Sequence, residues 1–157
     1  MNPADVALAV LIAGAVYTDI TTKKIRNVLT FPVMAVGIAM APYTQHRWFD
    51  GALGLVAAMA LAIPAWRLGH ALHAGDVKML MAAGALLGPE AAIRAVLFTY
   101  ILGFPAGIAV LAHRGRLGNL YRMFIKREKV EPTEAIHAPV VAAGILVARL
   151  QPWPELW

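Results

Sequence analysis

Two aspartates in this chain stand where a carboxylate needs a reason. Asp19 lies in Tyr17-Thr18-Asp19-Ile20-Thr21-Thr22-Lys23-Lys24-Ile25-Arg26-Asn27, and Asp76 in His73-Ala74-Gly75-Asp76-Val77-Lys78-Met79-Leu80. Each short basic loop abuts a long apolar run, and a carboxylate is costly inside a bilayer. Two carboxylates that share a partly dry site do not ionise together; one keeps its proton, and its pKa rises. The ionised partner can take a proton from water, while the protonated one can polarise a peptide carbonyl. That chemistry calls for no metal and no cofactor. The pair titrates as a unit, so acid and base are not assigned individually. A purely structural role is open to both residues. Asp76, after Gly75, suits a helix N-cap, and Asp19 suits a helix end with Lys23 as a nearby counter-charge.

The elements that must position these groups are apolar. Hydrophobic residues make up 60% of the 157-residue chain and charged residues 15%, with a mean hydropathy of +0.65. A soluble domain is roughly 45–50% apolar, so the composition indicates a polytopic membrane protein, all-α, with residues 1–157 forming one integral-membrane domain. There is no cysteine, which excludes disulfides and thiolate metal sites. The net charge of +5 fits basic loops against anionic lipid and gives no reason to invoke nucleic acid. No Lys or Arg precedes the first apolar run, so that segment reads as retained rather than as a cleaved signal.

Apolar runs between polar or Gly/Pro punctuation predict six membrane segments, at about 3–18, 28–43, 51–68, 77–88, 90–112 and 135–151. Several fall short of the ~20 residues usual for a span, the fourth most of all. Charge decides its path. Of the 14 Lys and Arg residues, eleven fall in the loops after segments one, three and five, and only Arg47, Arg94 and Arg149 fall on the other side. The positive-inside rule puts the eleven in the cytoplasm and both chain ends outside. If segment four failed to cross, the basic 114–129 stretch would face outward. Six crossings therefore stand, with segment four short and shielded by its neighbours. Asp19 and Asp76 then share one membrane face, a result that follows from counting crossings alone.

Other features fit this frame. Leu117, Leu120, Tyr121, Phe124 and Ile125 recur at helical spacing amid Arg116, Arg122, Lys126 and Lys129, which predicts an amphipathic helix in the cytoplasmic interface. Tyr43, Trp48, Trp66, Trp153 and Trp157 flank segments, as interfacial anchors do. Pro64 and Pro105 sit within apolar segments and are expected to kink them. Clusters such as Ala82-Ala83-Gly84-Ala85 permit close helix approach in lipid.

At the two aspartates the chain resembles the type IV prepilin peptidases, bacterial relatives of the GxGD intramembrane aspartyl proteases. In that family the first aspartate precedes basic residues and an Ile-Pro-Asn element; here Asp19, Lys23, Lys24, Ile25 and Asn27 match, with Arg26 in place of proline. The second motif, Gly-x-Gly-Asp-x-Lys-Leu/Met, is matched by Gly75, Asp76, Lys78 and Met79, with His73 replacing the first glycine. A third, Pro-Tyr-x-Pro followed by apolar and small residues, is matched from Pro139 to Gly144, with Ile136 and His137 in place of Pro-Tyr. The resemblance implies a membrane aspartic endopeptidase with Asp19 and Asp76 catalytic. It would cleave the leader of a prepilin or pseudopilin, whose N-terminal apolar helix lies in the membrane, at the cytoplasmic face of the bacterial inner membrane. Longer members also methylate the new N-terminus and carry a cysteine-bearing cytoplasmic domain. The short, cysteine-free loop after segment one resembles the peptidase-only form of Flp-type or tight-adherence pilus systems, for which methyl transfer is not expected.

Lys23, Asn27, Gly75, Lys78 and Pro139 are the supporting candidates. Lys78 could bias the pair, hold substrate or snorkel. Asn27 could bond loop backbone, and Gly75 could let substrate approach the chain closely. The substrate's apolar segment is expected against the small-residue faces of the bundle. His70 and His73 have the i, i+3 spacing of metal ligands, but no third ligand lies nearby in sequence, so no metal is expected. The alternative to a peptidase is a non-enzymatic transport or assembly subunit in which the aspartates relay protons or anchor loops.

Overall fold

Asn2 starts the first helix. In a computed structural model of the chain its side-chain oxygen accepts the Ala4 N–H at 3.1 Å, and Pro3 occupies the first turn, where no intrahelical N–H bond is lost. The structure describes residues 2–45, 47–67, 72–113, 115 and 137–151. Among them are six helices and no strand: α1 (Pro3–Thr22), α2 (Asn27–Thr44), α3 (Asp50–Arg67), α4 (Ala74–Leu87), α5 (Pro89–His113) and α6 (Ala138–Leu150). The amphipathic helix expected over 114–129 lies outside the described residues except at Gly115, as do His70, Trp153 and Trp157.

α1 runs past the expected end at residue 18. The hydroxyls of Thr18, Thr21 and Thr22 bond back to the carbonyls of Gly14, Tyr17 and Thr18 at 2.8, 2.7 and 2.7 Å, so these polar residues sit inside the helix without exposing unpaired groups. It stops where Lys23 turns left-handed (φ 52°) and donates its N–H to the Asp19 carbonyl. Asp19 therefore belongs to the last turns of a helix rather than to a loop.

Contacts at the helix ends give the chain its direction. At one end Gln45 Nε2 donates to the carbonyls of Ala85 and Leu86, both at 3.0 Å, and Arg149 pairs with Asp5 at 2.9 Å. At the other end Lys78 Nζ donates to Asn27 Oδ1 at 2.7 Å, and the Ala138 N–H donates to Asp19 Oδ2 at 3.0 Å. Gly51, opening α3, packs beside Gly37 and Ala85 at the first of these ends. Successive helices thus alternate in direction.

α4 touches all five other helices and is buried over most of its length, including Met79, Leu80, Ala82, Ala83 and Ala85. Its glycine face makes this possible. A Cβ on Gly54 of α3 would collide with the Gly84 carbonyl, and one on Gly37 of α2 would sit 2.7 Å from the Ala85 carbonyl carbon. A Cβ on Gly144 of α6 would stand 2.5 Å from Thr99 Oγ1 of α5. These small residues are taken up by helix–helix contact, so they do not offer a substrate the free faces expected of them.

Large apolar side chains point outward instead, among them Val10, Phe31, Leu53, Ile101 and Phe104. This inside-out arrangement suits a lipid surround. α1, α2 and the Pro89–Val110 part of α5 are long and apolar enough to cross a membrane. The 14 residues of α4 extend only about 21 Å, short of the ~30 Å hydrocarbon core. All five other described helices pack against it.

Replacing Gly84 with valine should destabilise the bundle by about 1–3 kcal/mol. Gly107→Val, at a site with nothing within 4 Å of an added Cβ, should cost much less. Thermal unfolding of both variants in detergent checks the contrast.

Candidate active site

The buried stripe of α1 runs through Ala4, Leu8, Leu11 and Ala15, and one more turn of that spacing brings Asp19 to the same face. Asp19 is half-buried and turned towards the start of α6. There the Ala138 N–H, free of any intrahelical partner at the first helical position, donates to its carboxylate. Pro139 follows in the first turn, where its ring pre-sets the backbone; its own side chain is exposed and does not line the site.

Asp76 sits in the first turn of α4, three residues after the N-cap His73, with only 2% of its surface exposed. The sequence suggested Asp76 itself as the cap; the structure reverses the roles. The His73 N–H donates to Asp76 Oδ2 at 2.8 Å, the reach-back of a capping box. His73 Nδ1 lies 3.7 Å from the same oxygen, and the rings of His73 and His137 stand 4.5 Å apart between centroids.

Asp19 and Asp76 line one cavity of about 810 Å³, together with Lys23, Lys24, Arg26, Asn27, Gly75, Lys78 and both histidines. Burial is the main reason the Asp76 pKa rises above its ordinary 3.8. The His73 N–H bond and the nearby His137 and His73 oppose the shift, and the charge of Asp19 adds to it. Asp76 is therefore the group disposed to hold a proton.

The supporting residues have more specific partners than the sequence indicated. Asn27 bonds Lys78 rather than loop backbone, tying the start of α2 to α4, and the Lys78 ammonium also stands 5.8 Å from the centre of the Phe31 ring. Gly75 admits the side chain of Ile25, whose Cβ would be 3.2 Å from an added Cβ, so its smallness seats the α1–α2 loop. Lys23 caps α1 and lines the cavity. Sequence reasoning passed over His137. The signal was present: His73 and His137 are both departures from the motifs quoted above, and the fold brings those two departures together.

The type IV leader peptidase family matches residues 6–108, a stretch that includes both aspartates. The chain belongs to the type IV leader peptidase family. No curated protein and no solved structure matches it. Membership makes it a peptidase of the prepilin-leader type, a membrane protein with a pilin-like protein as its general substrate. Pro139 and His137 lie beyond the matched residues of this leader peptidase.

A raised folded-state pKa means that the folded protein holds the Asp76 proton more tightly than the unfolded chain. The stability this contributes is complete below the ordinary value of 3.8 and is lost as pH rises through the raised value. Asp76→Asn cannot ionise. The stability of the wild-type protein relative to this variant should therefore fall across that window, as read from thermal unfolding in detergent at a series of pH values.

Proposed function

We infer that the protein is an aspartic endopeptidase that removes the leader of a prepilin- or pseudopilin-like protein, with Asp19 and Asp76 acting on one water. The observation that carries this reading is the convergence of the two aspartates, from distant parts of the chain, on one cavity at one end of the bundle. Two independent supports stand beside it: the family match spans both residues, and burial disposes one of them to remain protonated.

The division of labour follows from the surroundings. Protonated Asp76 donates a hydrogen bond to the scissile carbonyl. Asp19, whose carboxylate accepts the Ala138 N–H, takes a proton from water as the water oxygen bonds to the carbonyl carbon. Collapse of the tetrahedral intermediate breaks the C–N bond, and a proton passes to the departing amine. No metal or cofactor enters these steps.

The remaining parts of the reading are topological. Lys23, Lys24, Arg26 and Lys78 cluster around the cavity, whereas Arg94 and Arg149 lie at the other end of the bundle. Under the positive-inside rule this asymmetry supports a cavity at the cytoplasmic face of the inner membrane, with six crossings in one domain and both chain ends outside. Only Lys23–Arg26 separate α1 from α2. That connection supports the peptidase-only form associated with Flp-type pili, without methyl transfer.

Asp19→Asn and Asp76→Asn should each reduce cleavage of a co-expressed prepilin by on the order of 100- to 10,000-fold while the protein still accumulates in the membrane. Immunoblotting of processed and unprocessed pilin, with the peptidase followed in parallel, provides the measurement. Processing that survives either substitution would refute the pair.

A further inference from the structure

The geometry points to a transition-metal site formed by His73, Asp76 and His137, at which a Zn²⁺-class ion would occupy the Asp76 carboxylate and block cleavage. One donor atom from each of the three residues lies within 4.8 Å of the others. His73 Nδ1 stands 3.7 Å from Asp76 Oδ2. Ligand atoms at ~2.0 Å from a tetrahedral zinc stand roughly 3.3 Å apart, so that edge needs only a small contraction. His73 is a exposed N-cap on a two-residue connection to Asp76, and His137 precedes the first turn of α6, so both imidazoles can adjust without unwinding a helix.

Two imidazoles and one carboxylate form a set of borderline and hard donors that favours Zn²⁺ or Co²⁺ over Mg²⁺ or Ca²⁺, which prefer all-oxygen ligation. The cavity mouth gives an ion a path in, and three protein ligands leave a fourth position to water. Lys23, Lys24, Arg26 and Lys78 line the same cavity and disfavour cations in general. This repulsion acts against weakly held ions and leaves coordination by nitrogen as the selective term.

Binding stands on the three residues alone. The effect on cleavage rests on the aspartate-pair reading, because an ion coordinated to the Asp76 carboxylate occupies the oxygen that would face the scissile carbonyl and fills the cavity between the two aspartates.

The test uses the full-length protein in detergent micelles. Titration with Co²⁺, followed by visible absorption, should saturate at about one ion per chain with the intense bands of a low-coordinate site. Zn²⁺ should displace the Co²⁺, and Mg²⁺ or Ca²⁺ in the same concentration range should not. His73→Gln and His137→Gln should each weaken binding by at least about tenfold. Ring-nitrogen NMR of the unmutated, histidine-labelled protein provides a check that does not depend on variants folding: Zn²⁺ should shift the signals of two histidines out of five. Absence of saturable Co²⁺ binding, binding undiminished in the double variant, or unmoved histidine signals would each overturn the site. Zn²⁺ should also inhibit prepilin cleavage, and binding without inhibition would overturn the proposed block. Cleavage that survives Asp19→Asn, a substitution outside the three ligands, would sink the aspartate pair but leave Co²⁺ binding intact, so the two readings fail separately.

Discussion

Burying one carboxylate at the start of the central helix is the constraint around which the molecule is arranged. An ionised Asp76 at this depth would be strongly disfavoured without partners. The fold meets the cost in two ways. The N-terminus of α4 presents an oriented N–H from His73, and burial shifts the group towards its neutral form. The first is local to the helix start; the second requires α4 to lie inside the bundle, and α4 lies inside because its glycines and alanines allow α2 and α3 to approach at backbone distance. The burial of Asp76 at one end of α4 thus depends on the absence of side-chain bulk along the rest of it.

Asp19 is handled differently. It stays half-buried, on a helix extended by threonine back-bonding, and its partner comes from the opposite end of the chain. The two acids therefore experience unequal surroundings even though they share a cavity. That inequality leaves one carboxyl almost wholly buried and the other half-buried, although both groups are of the same chemical type. Helix starts serve both: α4 carries Asp76 in its own first turn, and α6 directs its first N–H at Asp19.

Much of this was legible in the sequence. Apolar runs located all six helices, because burial in lipid or in a bundle demands continuous hydrophobic stretches. Charge asymmetry put both aspartates at one end, since each crossing reverses direction. Boundaries were less legible. The Thr18–Thr22 run reads as polar loop in one dimension, yet its hydroxyls satisfy carbonyls of the preceding turn and prolong α1. Partnerships between distant residues were not legible at all: nothing near Asn27 names Lys78, and nothing near His73 names His137. Pairings of this kind are decided by how helices pack, and local periodicity carries no record of them. The 114–129 stretch, read as an interfacial helix, lies almost wholly outside the described residues.

The contact between Gly54 and Gly84 has a mechanical corollary. Backbones that meet with no side chain between them have almost no room to slide, so α3 and α4 behave as one stiff spar that carries Asp76. α1 and α6 are held to each other at the far end by Asp5 and Arg149, and near the cavity by the Asp19 carboxylate. Asp19 rides on α1, whose one glycine meets only the Leu29 side chain, so the spacing of the two acids is set more softly from the Asp19 side than from the spar.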